Sequence, residues 1–219
     1  MGTPVSTPDA VETRSGRRTQ AERSAAMRQR LLDATIDCLV TYGYAGTTTH
    51  RIAQRAGVTR GAQIHHFRAK EDLVVAAIEH LAQQRVQKAI GDLDMIRENP
   101  DTATAILDFL WSLHQGPVFV ATIELWIASR TDKVLAAQIE RVEPVVIAGV
   151  FAGIVELLPD QAQRKELRHA AYTTMDAIRG LLISSFVDGD HARLQRRWAR
   201  ARSHLRSDIE AALSTGTGS

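Results

Sequence analysis

"IAQRAGVTRGAQIHHF", residues 52–67, reads as two short helical stretches hinged on Gly57. Ile52, Ala53 and Ala56 share one helical face, and Ala53 is small enough to let another helix cross close by. Gly57 can take the positive φ that a sharp turn needs at little steric cost. Val58 can anchor that turn in a core, and Phe67 can close the far end. Thr47 or Thr48 stands where it can cap the first helix, and Thr59 where it can cap the second, which runs through about His66. This is the layout of a helix-turn-helix, a device whose second helix enters the major groove of DNA.

The second helix carries suitable chemistry. Gly61 and Ala62 are short where backbone must approach a duplex, and Arg60 offers a fork that can pair bidentately with guanine. Gln63 and His65 add polar reach. Thr48, Thr49 and Lys70 lie at helix starts, where hydroxyl, amide and ammonium groups can hold phosphates. His50, one residue into the first helix, can reach a base or a phosphate. Residues 1–70 hold eleven Lys or Arg against five Asp or Glu, net +6, while the remainder holds sixteen against twenty, net −4. A basic front end on a nearly neutral chain suits a polyanionic partner.

Upstream, residues 1–23 read as a flexible basic arm rich in Pro, Thr, Ser and Gly, with Arg14, Arg17, Arg18 and Arg23 available to phosphates or a minor groove. Helical periodicity begins at Ser24, with Leu31, Leu32, Thr35, Ile36 and Leu39 on one face and Gly43 as a terminating glycine. "RAKEDL", with Glu71 and Asp72 at its head, opens a long fourth helix. Downstream, Pro100, Gly116–Pro117, Thr131–Asp132, Pro159–Asp160 and Asp188–Gly189–Asp190 divide the chain into further helical segments, and Pro144 predicts a kink or break inside one. No strand pattern or internal repeat is present. The fold class is all-α, with about nine helices: an N-terminal helix-turn-helix domain over 24–70 and a larger helical domain over 71–219.

"TTTHRIAQRAGVTRGAQIHHFRAKEDLV", residues 47–74, resembles the N-terminal signature of the TetR (tetracycline-repressor-like) family of bacterial transcription regulators. The features carrying the likeness are the Thr-rich helix start, the "IA..AGV" helix and turn, and the "HF..K..L" ending; residues 24–46 agree by pattern, and Tyr44, Thr47 and Thr48 fall where the family has comparable residues. The resemblance implies that Arg60, Gly61, Ala62 and His65 face bases, and that Thr48, Thr49, His66 and Lys70 mainly hold the DNA backbone. One departure stands out. Where the family commonly has an apolar residue and then tyrosine, this chain has Gln63 and Ile64. Either Gln63 takes over part of the DNA contact or Ile64 reads a thymine methyl.

The resemblance also implies a small-molecule effector site in the larger domain and a homodimer. There, "ILDFLWSLHQGPVFVATIELWIASRTD" supplies Phe109, Trp111, Phe119, Ile123 and Trp126, which can line an apolar cavity with His114 and Glu124 as polar handles. Phe151, Tyr172 and Met175 can complete its wall; the alternative is that these aromatic residues are plain core. Two apolar stripes, Ile178–Leu181–Leu182–Phe186 and Leu194–Trp198–Leu205–Ile209, can pair the last two helices (161–188 and 191–213) with those of a second copy, or face the subunit's own core. A row of arginines on the last helix, Arg193 to Arg206, reads as a solvated face.

The function expected is a ligand-responsive, homodimeric repressor on a near-palindromic operator, released by a small lipophilic effector. The alternative is a DNA-binding regulator controlled by a partner protein. No nucleophile motif, phosphate loop or zinc spacing points to an enzyme, a cofactor or a metal. No apolar run of membrane-spanning length and no signal-peptide pattern occurs, and Cys38 is a lone cysteine in an apolar helix, so a reducing cytoplasm is expected.

Overall fold

The structure, a computed structural model, describes residues 19–91, 96, 98–156 and 161–214. Among these are nine helices and no strand: α1 (Gln20–Gly46), α2 (Thr49–Ala56), α3 (Arg60–His66), α4 (Lys70–Gly91), α5 (Thr102–Leu113), α6 (Pro117–Ser129), α7 (Lys133–Glu156), α8 (Gln161–Asp188) and α9 (His191–Ser214). No single helix among the described residues is long and apolar enough to cross a membrane.

α1 starts earlier than periodicity suggested, because Thr19 and Glu22 form a reciprocal capping box: the Glu22 amide donates to Thr19 Oγ1 (3.2 Å) and the Thr19 amide to Glu22 Oε2 (2.7 Å). Arg23 is therefore helical rather than part of an arm, and Arg14, Arg17 and Arg18 lie outside the described residues. Gly43 does not end α1 but kinks it, with φ 66° and ψ 176°. Only glycine adopts that region readily, and the site is crowded as well, since a Cβ there would lie 3.0 Å from Glu124 Oε2 of α6. Gly43→Ala should lower the free energy of unfolding by about 1–3 kcal/mol, read as a shift in the urea midpoint without loss of helical signal.

Three buried clusters organise the chain. The first joins Leu31, Leu32 and Cys38 of α1 to Ile52 and Ala56 of α2, to Phe67, and to Leu73 and Ala76 of α4. The opening turns of α4 thus complete the front core, past the expected boundary at residue 70. A second cluster ties α1 (Ile36, Leu39) and α4 (Val74, Ile78) to α6 (Ala121, Leu125) and α7 (Leu135), so the front and rear of the molecule share two helices. The third fills the rear, around Phe109, Ile123, Ile178, Trp198 and Ile209.

Two readings that the sequence leaves open narrow here. Pro144 lies within α7 without ending it; burial of Leu135, Val146 and Phe151 on the same helix offsets the backbone bond that proline cannot make. The stripe Leu194, Trp198, Leu205 and Ile209 is buried inside the subunit, with Trp198 stacked on Trp111 at 4.6 Å, so α9 does not offer it to a second copy. On α8, Ile178 and Leu182 are likewise inside, whereas Ile183, Phe186 and Val187 are exposed, Val187 at 91%. The arginines of α9 do more than face water. Arg202 pairs with Asp108 (2.7 Å), and Arg206 with Asp101 (2.6 Å) and Thr104 Oγ1 (2.6 Å), clamping α9 to the start and middle of α5.

Candidate functional site

Hydrogen bonds that the local sequence makes available hold α2 and α3 at their angle. Thr48 Oγ1 accepts from the Arg51 amide (3.3 Å), so Thr48 caps α2, while Thr47 is buried and donates its hydroxyl to the Gly43 carbonyl (2.8 Å). Gly57 ends α2 in the left-handed region (φ 63°, ψ 40°). Its amide bonds Gln54 O and the next, Val58 N–H, bonds Ala53 O, the paired pattern of a Schellman stop. Arg30 reaches from α1 to the Ala56 and Gly57 carbonyls at the same helix end. Thr59 Oγ1 then accepts from the Ala62 amide (3.2 Å) and starts α3.

On α3 the outward and inward faces separate cleanly. Arg60, Gly61, Ile64 and His65 are exposed, Ala62 and His66 are half-buried, and Gln63 and Phe67 point inward. Gln63 is 1% exposed, and its Nε2 donates to the Phe67 carbonyl (2.9 Å). Of the Gln63–Ile64 pair, Gln63 closes the C-terminal turn of α3 and is turned away from the outward face. Ile64, 44% exposed, stands on the outward face. The rings of His65 and His66 meet edge-to-face at 5.3 Å, closer than their adjacency on a helix suggests. Among the described residues, no group of three His, Cys, Asp or Glu side chains is placed to hold a metal. Thr59 and His50 are exposed beside this face, and Thr49 is half-buried.

Several basic groups of the front end are engaged internally. Arg55 pairs with Asp37 (3.0 Å), and Arg51 donates to Gly46 O and lies over the Tyr42 ring at 4.5 Å. Lys70 donates to the Tyr44 carbonyl (2.9 Å) and sits 4.2 Å from the Tyr44 ring centroid; burial pulls its ammonium below the usual lysine range. One of its three donors is thus committed to the C-terminal end of α1, a bond that sequence reading did not anticipate.

Tyr44 also looks the other way. Its hydroxyl donates to Asp132 Oδ2 (3.1 Å), while Asp132 Oδ1 accepts the Leu135 amide (3.0 Å) and so caps α7. Burial, and then the bond to Asp132, push the Tyr44 hydroxyl up to about 12, so it stays protonated and donates. Asp132 is held below the ordinary carboxylate range, first by the Leu135 amide and then by Tyr44. Its contribution is therefore complete above that range and is lost only as pH falls through the lowered value.

In the rear, the expected cavity wall is largely core. Phe109 is 0% exposed, Phe119, Ile123 and Met175 are buried, and Trp111 is stacked on Trp198. Glu124 lies against Gly43 rather than in the rear interior. Phe151 and Tyr172 pack together at 5.4 Å along an open groove between α7 and α8. Trp126 alone of the expected cavity residues lines the interior space bounded by α4, α6 and α7, of about 20 Å³, together with Arg85, Glu143, Ile78, Leu81 and Val142. Charged residues that sequence reading passed over meet here. Arg85 of α4 bonds both Glu143 oxygens of α7 (3.3 Å each), and Arg179 of α8 lies over the Trp126 ring at 4.8 Å.

His114 belongs to the same neighbourhood. It is 2% exposed, its ring lies 5.2 Å from Phe119, and its Nδ1 sits 2.7 Å from the Leu110 carbonyl, which assigns the proton to Nδ1. Burial drives its pKa down to about 4, with Arg179 and Arg85 pushing the same way, so the ring is neutral at pH 7 and Nε2 carries a lone pair. Nε2 has no hydrogen-bond partner among the described residues.

A paired α2–α3 with an outward polar face, carried on a helical body, defines a helix-turn-helix regulator. Residues 31–77 match the family model described as "Bacterial regulatory proteins, tetR family". The chain is 28% identical over 183 residues to the HTH-type transcriptional regulator CymR of Pseudomonas putida, a match spanning 82% of this chain and 89% of that protein. It superposes on a TetR transcription regulator from Haloarcula marismortui with TM-score 0.62 and 20% identity, over 85% of this chain and 98% of the other. The multidrug binding protein EbrR, solved in complex with imidazole, gives TM-score 0.57 and 18% identity over 86% and 90%. Residues 31–77 thus carry the DNA-binding signature of the TetR regulators, and the similar proteins are transcriptional regulators rather than enzymes.

Proposed function

We propose that the protein is a cytoplasmic, homodimeric repressor that reads a near-palindromic operator with α3 and leaves it when a small molecule enters the rear domain. The observation that carries this reading is the outward face of α3. Arg60, Ile64 and His65 are exposed together on a helix whose two ends are secured internally by Thr59 and by the Gln63–Phe67 pair. Such a helix meets a groove already ordered, so little conformational entropy is lost on binding. Arg60 would pair with guanine, Ile64 would touch a thymine methyl, and Gly61 and Ala62 would let the backbone approach. Thr48, Thr49, His50, Thr59, His66 and the free donors of Lys70 would hold phosphates.

Domain limits follow the cores: residues to about 77 form the reader and the rest the regulatory body, with α1 and α4 belonging to both. For the dimer, the exposed Ile183, Phe186 and Val187 at the end of α8 supply the apolar surface, since the stripe on α9 is already covered.

Release needs a link from the interior to α3, and Asp132 supports one. It caps α7, the helix that carries Glu143, and holds Tyr44, whose carbonyl binds Lys70 at the head of α4. A molecule that favours a displaced α7 would move Asp132 and with it the seat of the reader; only a difference in affinity between the two conformations can drive this. Tyr44→Phe removes the Asp132 bond alone. It should weaken effector-induced release by on the order of 1 kcal/mol of coupling, measured as the ratio of operator affinities with and without effector.

The test of the function is capture of genomic fragments on the pure protein, followed by challenge with a panel of small molecules. Recovery of one promoter-sized fragment that a compound releases supports the proposal. Fragments retained against the whole panel would favour control by a partner protein, and no retained fragment at low salt would end it.

A further inference from the structure

Resting on the effector reading above, we propose that the molecule received by the rear domain is an organic carboxylate with an apolar body, and that Arg179 is the residue that recognises its charge. Arg179 is a half-buried arginine, its side chain 16% exposed, with two donors left unpaired. Nη1 donates to Asp176 (3.2 Å), a side chain 75% exposed and hence bathed in solvent. Nε and Nη2 are buried with no hydrogen-bond partner among the described residues. Those two atoms form one edge of the planar group, the side-on fork that matches the two oxygens of a carboxylate. Trp126 covers a face of the guanidinium and leaves that edge free.

The neighbourhood favours a single added negative charge. Arg85 and Arg179 contribute two cations, and Glu143, which already engages Arg85 through both oxygens, contributes the one largely buried anion. Leaving a buried donor unmade is costly, more so for a charged group, so an interior with two such donors on one edge is better matched to a ligand than to none. His114 Nε2 adds a buried acceptor within electrostatic reach of both arginines, suited to a hydroxyl or amide N–H on the same molecule. Ile78, Leu81 and Val142 give the apolar wall for the body.

The space that these apolar residues line with Arg85, Glu143 and Trp126, beside Arg179, is about 20 Å³, roughly that of one water. A carboxylate-bearing molecule therefore enters only if α7 moves from α4 and α6, and its charge competes with Glu143 for the arginines that bridge those helices. Recognition and displacement of α7 are in this way one event.

The experiment uses the full-length protein and three carboxylates, benzoate, cyclohexanecarboxylate and octanoate, each beside its primary amide, with binding read by calorimetry and by release of the captured operator fragment. At least one carboxylate should bind and release DNA while its amide binds roughly 10- to 100-fold more weakly. Arg179→Met, checked for helical content, should bring the carboxylate down to the level of the amide. Equal affinity for acid and amide in the wild type, a comparison that needs no variant, overturns the assignment. So does a carboxylate whose affinity Arg179→Met leaves unchanged. Release by an amide alone refutes the carboxylate while sparing the effector reading; no binding and no release by any of the six compounds, with a fragment still released by some other small molecule, likewise refutes only the carboxylate.

Discussion

Phe109→Ala should lower the free energy of unfolding by about 3–5 kcal/mol, the range for emptying a fully buried aromatic site. Phe109 is 0% exposed within the largest buried cluster, with residues of α5, α6, α8 and α9 around it. Urea denaturation would register the change as a lowered midpoint with an unaltered slope. A loss under about 1 kcal/mol, an order of magnitude set by surface substitutions, together with a changed response to small molecules, would return Phe109 to the wall of a ligand cavity. The comparison matters because sequence pattern alone assigned Phe109 and Trp126 to the same wall, and the structure divides them.

Arg60→Ala should leave stability untouched and weaken operator binding by about 1–3 kcal/mol per half-site, relaxing preference at one symmetric base position. Arg60 is exposed, at the first position of α3, and its side chain has no part in the cap that Thr59 makes to Ala62. Measured against operators varied at each position, the loss should concentrate on one base pair in each half-site. A uniform loss across all sequences would instead make Arg60 a phosphate contact.

The front end was legible because its determinants are local. Thr48, Gly57 and Thr59 act within a few residues of themselves, so spacing alone located both caps and the turn. The Gln63–Ile64 choice stayed open because exposure on a seven-residue helix depends on which side faces the rest of the fold, which no local pattern reveals; the distance of four residues from Gln63 to the buried Phe67 was the available clue. Gly43 looked like a stop because a positive-φ glycine usually is one, whereas here the helix resumes after the kink, with Glu124 of α6 beside it.

The rear was less legible for a different reason. In "AIRGLLISSF", Arg179 follows a buried isoleucine and reads as the hydrophilic margin of an apolar stripe, and Arg85 reads as one more charge on a surface helix. Their roles arise only when α4, α6, α7 and α8 converge, and no spacing within one helix encodes that. The link from Tyr44 to Asp132 spans 88 residues and is invisible for the same reason.

Footprinting of the full-length protein on a retained genomic fragment bears most directly on whether α3 reads DNA as one of a symmetric pair. Two protected half-sites should appear, related by an approximate twofold and centred about one helical turn, roughly 34 Å, or a multiple of it apart. A single asymmetric footprint, or retention with no protected sequence at all, would contradict the pairing of two α3 helices on an operator.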